Sequence, residues 1–98
     1  MNDMEKQMYL VRSRGAGIFF GEIESRKRQE VVMKNARRLY YWEGATELCQ
    51  LATEGVKYPK KCKFTMYVDS VTLLEVVEIQ KCTDDAAKSL SGVAVWKI

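Results

Sequence analysis

A chain of 98 residues has room for one hydrophobic core and falls well short of what two domains need, so residues 1–98 are read as a single domain. At 47% hydrophobic and 30% charged it is not a disordered chain, and its net charge of +3 is mild for a duplex-DNA binder while permitting an anionic ligand. It contains no histidine, which excludes Ser-His and Cys-His nucleophile pairs and any His-ligated metal.

In chain order, the opening MNDMEK has neither the basic start nor the apolar stretch of a signal peptide. No apolar run approaches the roughly 20 residues of a bilayer span, so the expected location is the cytoplasm of a host cell, with no membrane contact. Met8 to Arg12 is β-prone, and Gly15-Ala16-Gly17 supplies a turn into a partner strand from Ile18 to Ser25. Arg26-Lys27-Arg28 then reads as a solvated hairpin tip before a third antiparallel strand, Glu30 to Lys34.

After the stretch 35–48, treated below, Ala45, Leu48, Cys49 and Ala52 recur at helical spacing, predicting an amphipathic helix from Ala45 to Glu54 with Gly55 as its stop. Tyr58-Pro59-Lys60-Lys61 is a basic loop. Strands return at Phe64 to Val68 and at Val71 to Gln80, the second apolar on both faces and therefore expected at the centre of the sheet. Thr83 with Asp84 and Asp85 starts a short helix that Gly92 ends, and Val93 to Trp96 closes the chain as a strand.

This order predicts an α+β fold: a twisted antiparallel β-sheet or small open barrel, one amphipathic helix packed on it and a short C-terminal helix. The long apolar strand and the terminal segment leave sheet edges with little polar cover, which points to a homo-oligomer. Cys49, Cys62 and Cys82 match neither a disulfide framework nor a zinc site and are expected as buried, reduced, unpaired thiols. No cofactor is implied.

The stretch NARRLYYWEGATEL, residues 35–48, carries two arginines and three aromatics into a helix start. Alternation places Arg38, Tyr40 and Trp42 on one side of a strand and Arg37, Leu39 and Tyr41 on the other. With Leu39 and Tyr41 inward, the row Arg38, Tyr40 and Trp42 has the parts of an anion and base site, a guanidinium and stacking rings beside helix N–H groups near Gly44 and Ala45; in the stretch as a whole the anion contact is expected from Arg37 or Arg38. The same residues equally describe a core strand whose polar tips reach the surface.

The run from Asn35 to Ala45, with Leu48, Leu51-Ala52, Gly55, Pro59 and Leu73 to Ile79, resembles a family of small uncharacterised phage and prophage proteins of about this length. The resemblance covers nearly all of the chain from Tyr9. It implies a viral or prophage origin and brings no activity or catalytic residue with it.

Acid and base chemistry needs paired titratable groups, and the candidates are weak. Glu22 with Glu24 reads as the solvent side of a strand, Glu75 and Glu78 fall on opposite faces, and Asp84 with Asp85 belongs to a helix start. The expectation is therefore a non-enzymatic accessory protein binding a small phosphorylated or nucleotide ligand, as an anti-defence sponge would. Two other classes stay open: an inhibitor or adaptor binding a host defence protein, and a single-stranded nucleic-acid binder whose track Arg26-Lys27-Arg28 and Lys60-Lys61 would extend.

Overall fold

A computed structural model of the chain describes residues 6–98. Residues 1–5, most of the segment read for a leader, lie outside the described residues. The fold is α+β. Strands β1 (Tyr9–Ser13), β2 (Gly17–Lys27) and β3 (Glu30–Tyr41) form consecutive antiparallel pairs, as the alternation predicts. Then follow helix α1 (Leu48–Glu54), a 3-10 turn at Pro59–Lys61, strands β4 (Lys63–Phe64), β5 (Val68–Leu73) and β6 (Val76–Lys81), and helix α2 (Asp84–Ser91). The sheet has six strands in the order β4-β3-β2-β1-β6, with β5 also paired to β3.

The pleat sends neighbouring side chains to opposite faces, and here both faces are covered. Leu10, Phe20 and Leu39 meet Leu48 and Leu51 of α1 and Ala86 and Leu90 of α2 on one face. Val11, Phe19, Val31, Met33, Leu73 and Val76 form a second cluster on the other. The second cluster exists because the sheet curls. Its ends, β5 on β3 and β6 on β1, are joined through Leu74 and Glu75. That link is tied down by Arg14 N donating to Glu75 O and Val76 N to Gln29 O, both at 2.9 Å. β5 and β6 do not pair with each other, so the sheet stays open.

Five elements differ from their sequence reading. β3 does not stop at Lys34 but runs on to Tyr41, with an extra residue at Asn35. Asn35 takes φ 49°, a left-handed conformation that Asn tolerates, while its amide donates to Glu22 Oε2 at 3.1 Å. The slip moves the second cluster's set from odd to even positions: Val31 and Met33 before it, Ala36 after it.

The expected central strand from Val71 to Gln80 is two strands, because Leu73 and Val76 both enter the second cluster and the chain must turn at Leu74 and Glu75 between them. Helix α1 begins at Leu48 rather than Ala45, since the Glu47 carboxylate caps it by accepting from Cys49 N at 2.9 Å. The expected strands Phe64 to Val68 and Val93 to Trp96 are irregular as well. Residues 65–67 leave the sheet, and of the terminal segment only Val95 forms a bridge, parallel to Phe64.

Candidate functional site

Arg37 and Arg38 are adjacent in β3 and the pleat gives them opposite surroundings. Arg37 is 1% exposed and points into the helix side of the sheet. Its guanidinium donates to four backbone carbonyls: Nε to Thr65 O (3.0 Å), Nη1 to Leu90 O (3.3 Å) and Val93 O (3.0 Å), and Nη2 to Phe64 O (3.4 Å). It also lies over the rings of Phe64 (5.3 Å) and Tyr67 (4.7 Å). The charge is balanced by carbonyl dipoles, that of Leu90 in the last turn of α2 among them, where a cation is favoured. Arg37 thus fastens β3 to the irregular segment at 64–65 and to the end of α2, and it has no face left for an outside anion.

Arg38 is on the opposite, exposed side. Its backbone N–H donates to Thr65 Oγ1 (2.9 Å), its Nε donates to Ala16 O (3.1 Å), and the guanidinium carbon sits 4.8 Å from the centre of the Phe19 ring. These contacts fix the guanidinium plane at the wall of an open groove of about 400 Å³. Phe19, Thr65, Met66, Val71, Trp96 and Lys97 also line it. The lining holds two cations and no carboxylate.

Two residues further along the same face, Tyr40 is 61% exposed and stacks on Trp96, with ring centroids 4.9 Å apart and planes 15° from parallel. Lys63 Nζ lies 5.5 Å from the Trp96 ring centre. Trp96, Lys97 and Lys63 complete the site, and none was singled out in the stretch 35–48. Their pairing with β3 depends on Trp96 N donating to Phe64 O at 2.8 Å, a long-range contact with no periodic signature.

The remaining residues of the stretch do not join this row. Alternation ends with the strand at Tyr41, and Trp42 turns back, half-buried, against the helix-side core. Gly44 and Ala45 line a separate groove of about 300 Å³ with Thr46, Gln50, Lys57 and Tyr58. Gly44 has φ 92°, and a Cβ there would come within 2.6 Å of Lys57 N, so its role is close chain packing. The expected helix N–H cradle does not sit at Ala45. The helix starts three residues later, and the first turn's N–H at Cys49 is occupied by a carboxylate that would repel an anion.

The candidate acid–base carboxylates are dispersed. Glu22 faces Lys6 (3.8 Å) and Lys34 (4.0 Å), Glu78 pairs with Arg12 (2.7 Å), and Asp84 and Asp85 occupy the first turn of α2. Tyr41 donates to Glu43, and that hydrogen bond raises the phenol above its usual range. The cysteines are unpaired. Cys62 and Cys82 are buried and burial pushes the Cys82 thiol up to about 11, whereas Cys49 is exposed, against the expectation of a buried thiol. It lies on an exposed flank of α1 beside β6, where Gln80 Nε2 approaches its sulfur at 3.4 Å.

Fold and site together define a small α+β domain that presents one cationic, aromatic groove on the face of the sheet opposite the helices. The chain belongs to the family described as a domain of unknown function (DUF6948), which matches residues 6–90. No curated protein and no solved structure matched it. Among the described residues, no helix is long and apolar enough to cross a membrane.

Proposed function

We propose that this is a non-enzymatic binding protein that takes a small anionic, ring-bearing ligand of the nucleotide kind in the groove between Arg38, Trp96 and Lys97. The observation that carries the reading is the composition of that groove: two cations, a hydroxyl and aromatic walls, with no carboxylate to oppose an anion. Arg38 supplies the charge-assisted contact, held in plane by Ala16 and Phe19, and the Tyr40–Trp96 stack supplies the aromatic wall. The resemblance to phage and prophage proteins supplies the setting, the cytoplasm of a host cell. There a protein of this kind would act by sequestering a nucleotide signal of host defence, with no need for catalysis.

Titration of Trp fluorescence with adenosine monophosphate, adenosine and inorganic phosphate checks this. The nucleotide should bind best, and Arg38→Ala should weaken it by about tenfold, the worth of one charge-assisted hydrogen bond. The same variant should shift stability by about 1 kcal/mol or less, since an exposed cation–π contact contributes no more. Equal binding by Arg38→Ala, or none by the wild type, would remove the site.

A second reading rests on a different observation. Tyr40, Met66, Val68 and Trp96 are all exposed around an open groove, the composition of a protein interface. On this reading the protein is an inhibitor or adaptor, and Tyr40→Ala would abolish capture of a partner while the nucleotide had no effect.

A further inference from the structure

The groove at Arg38 does not end the cationic surface. Trp96 is hydrogen-bonded to β4, and the segment that leads into β4 through the 3-10 turn, residues 57–63 (KYPKKCK), holds four lysines and no acid. The register sets Lys63 opposite Tyr41, at the end of β3 that carries Tyr40, and places its ammonium over Trp96. Two residues back, Lys61 Nζ lies 5.7 Å from the centre of the exposed Tyr58 ring. Cation and ring thus recur in pairs along these segments: Arg38 with Phe19, Lys63 over Trp96 of the Tyr40 stack, and Lys61 by Tyr58, the last beside the groove at Gly44 and Ala45. The ion pairs between described residues, Lys6–Glu22, Lys34–Glu22 and Arg12–Glu78, all lie elsewhere.

We infer that these pairs together form a short binding track for single-stranded nucleic acid, with the Arg38 groove as one end of it. The inference rests on the proposed nucleotide reading of that groove and extends it from one nucleotide to a strand. Exposed rings stack on unpaired bases whatever their sequence, and flanking lysines neutralise the phosphates between them. A duplex keeps its bases stacked on each other and leaves the rings unused. Arg26, Lys27 and Arg28 do not extend the track. They sit by Glu30 at the start of β3, and twelve strand residues at about 3.3 Å each put them roughly 36 Å from the Tyr41 end. Tyr40 and Trp96 stack on each other and act as one ring position, so with Tyr58 the track offers stacking for about two bases, below the size of most known single-strand sites.

Fluorescence anisotropy with labelled oligothymidylate of about twelve residues tests the track, with a mixed-sequence duplex and adenosine monophosphate measured alongside. The single strand should bind more tightly than either. With about three phosphates neutralised, its affinity should fall roughly twentyfold between 50 and 200 mM salt. The double variant Lys60→Ala with Lys61→Ala, and separately Tyr58→Ala, should each weaken the strand several-fold and leave adenosine monophosphate binding and the unfolding midpoint unchanged. Arg38→Ala should weaken both ligands. If adenosine monophosphate binds but the strand binds no tighter, or Lys60→Ala with Lys61→Ala has no effect, the track is overturned and the single-nucleotide site stands. If neither ligand binds, both fall. Equal binding of the duplex, or of polyglutamate with no dependence on Tyr58, would show a merely cationic surface and overturn the track as well.

Discussion

Adjacent arginines of one charge and one propensity serve different ends because the pleat separates them and each face offers different partners. Arg37 meets four backbone carbonyls, of which Phe64 O is shared with Trp96 N, so removing it strips a charged donor from buried acceptors. Arg37→Met should cost about 3 kcal/mol or more in denaturant unfolding, and Arg37→Lys should recover only part, because an ammonium cannot span four acceptors. A loss within 1 kcal/mol would mean that water or a shifted backbone replaces those bonds. That Arg37 is inside was not legible in the stretch itself. Alternation places Arg37 with Leu39, but a strand pattern cannot show that the carbonyls of Phe64, Thr65, Leu90 and Val93 arrive within its reach. Cys82 gives a second test at this scale. Burial holds its thiol at about 11 against 9.0 for an exposed one. Between those values the folded state keeps a proton that the unfolded chain has released, so this stability is complete below about pH 9 and declines as pH rises through the window. Replacing it, as Cys82→Ala, should flatten the fall of the urea midpoint over that range relative to wild type. In the native protein, Cys49 should be the thiol that reacts first with a disulfide reagent.

At the scale of elements, the close approach of β2 and β3 is set by Gly21. A Cβ on it would lie 2.7 Å from both Cα and Cβ of Ala36, beside the Asn35 bulge, and backbone cannot yield as a side-chain tip can. Gly21→Ala should therefore destabilise by about 1–3 kcal/mol, read as a lower denaturation midpoint; an unchanged midpoint would show that β3 can slide without loss. The hairpin β1–β2, the start of β3 and helix α2 were legible because alternation, Gly15 to Gly17 and the Thr83 cap act locally. The break at Leu74 and Glu75 was not. It holds no Gly or Pro, and a segment apolar on both faces carries no phase from which a turn can be read. Val93 to Trp96 misled for a related reason. Its residues suit a strand, but Val93 O is taken by Arg37 and only Val95 bridges.

At the scale of the whole molecule, the curl that builds the second core leaves two strand edges open. β6 pairs with β1 and β5 with β3, and the outer edges of both, joined through Leu74 and Glu75, face away from the sheet. Leu74 is 68% exposed and Val77 is exposed beside it, an apolar pair next to unpaired backbone. Open edges of this kind invite pairing, and Glu78, tied to Arg12, gives β6 only partial protection by charge. The homo-oligomer expected from the sequence thus keeps its argument but changes its place: the edges that count are those of β5 and β6, not a central strand and a terminal one. A second copy pairing on β6 would cover Val77 and leave the Arg38 groove, on β3, open to ligand. Light scattering over a concentration series should then give a mass above the 11.3 kDa of one chain. Val77→Lys, at an exposed edge position, should shift that mass towards the monomer with little loss of stability, since lysine is the residue natural edges use against pairing. It should leave ligand affinity at Arg38 unchanged. A wild-type protein that stays at 11.3 kDa up to high micromolar concentration would show the edges to be sufficiently guarded and the chain to act alone.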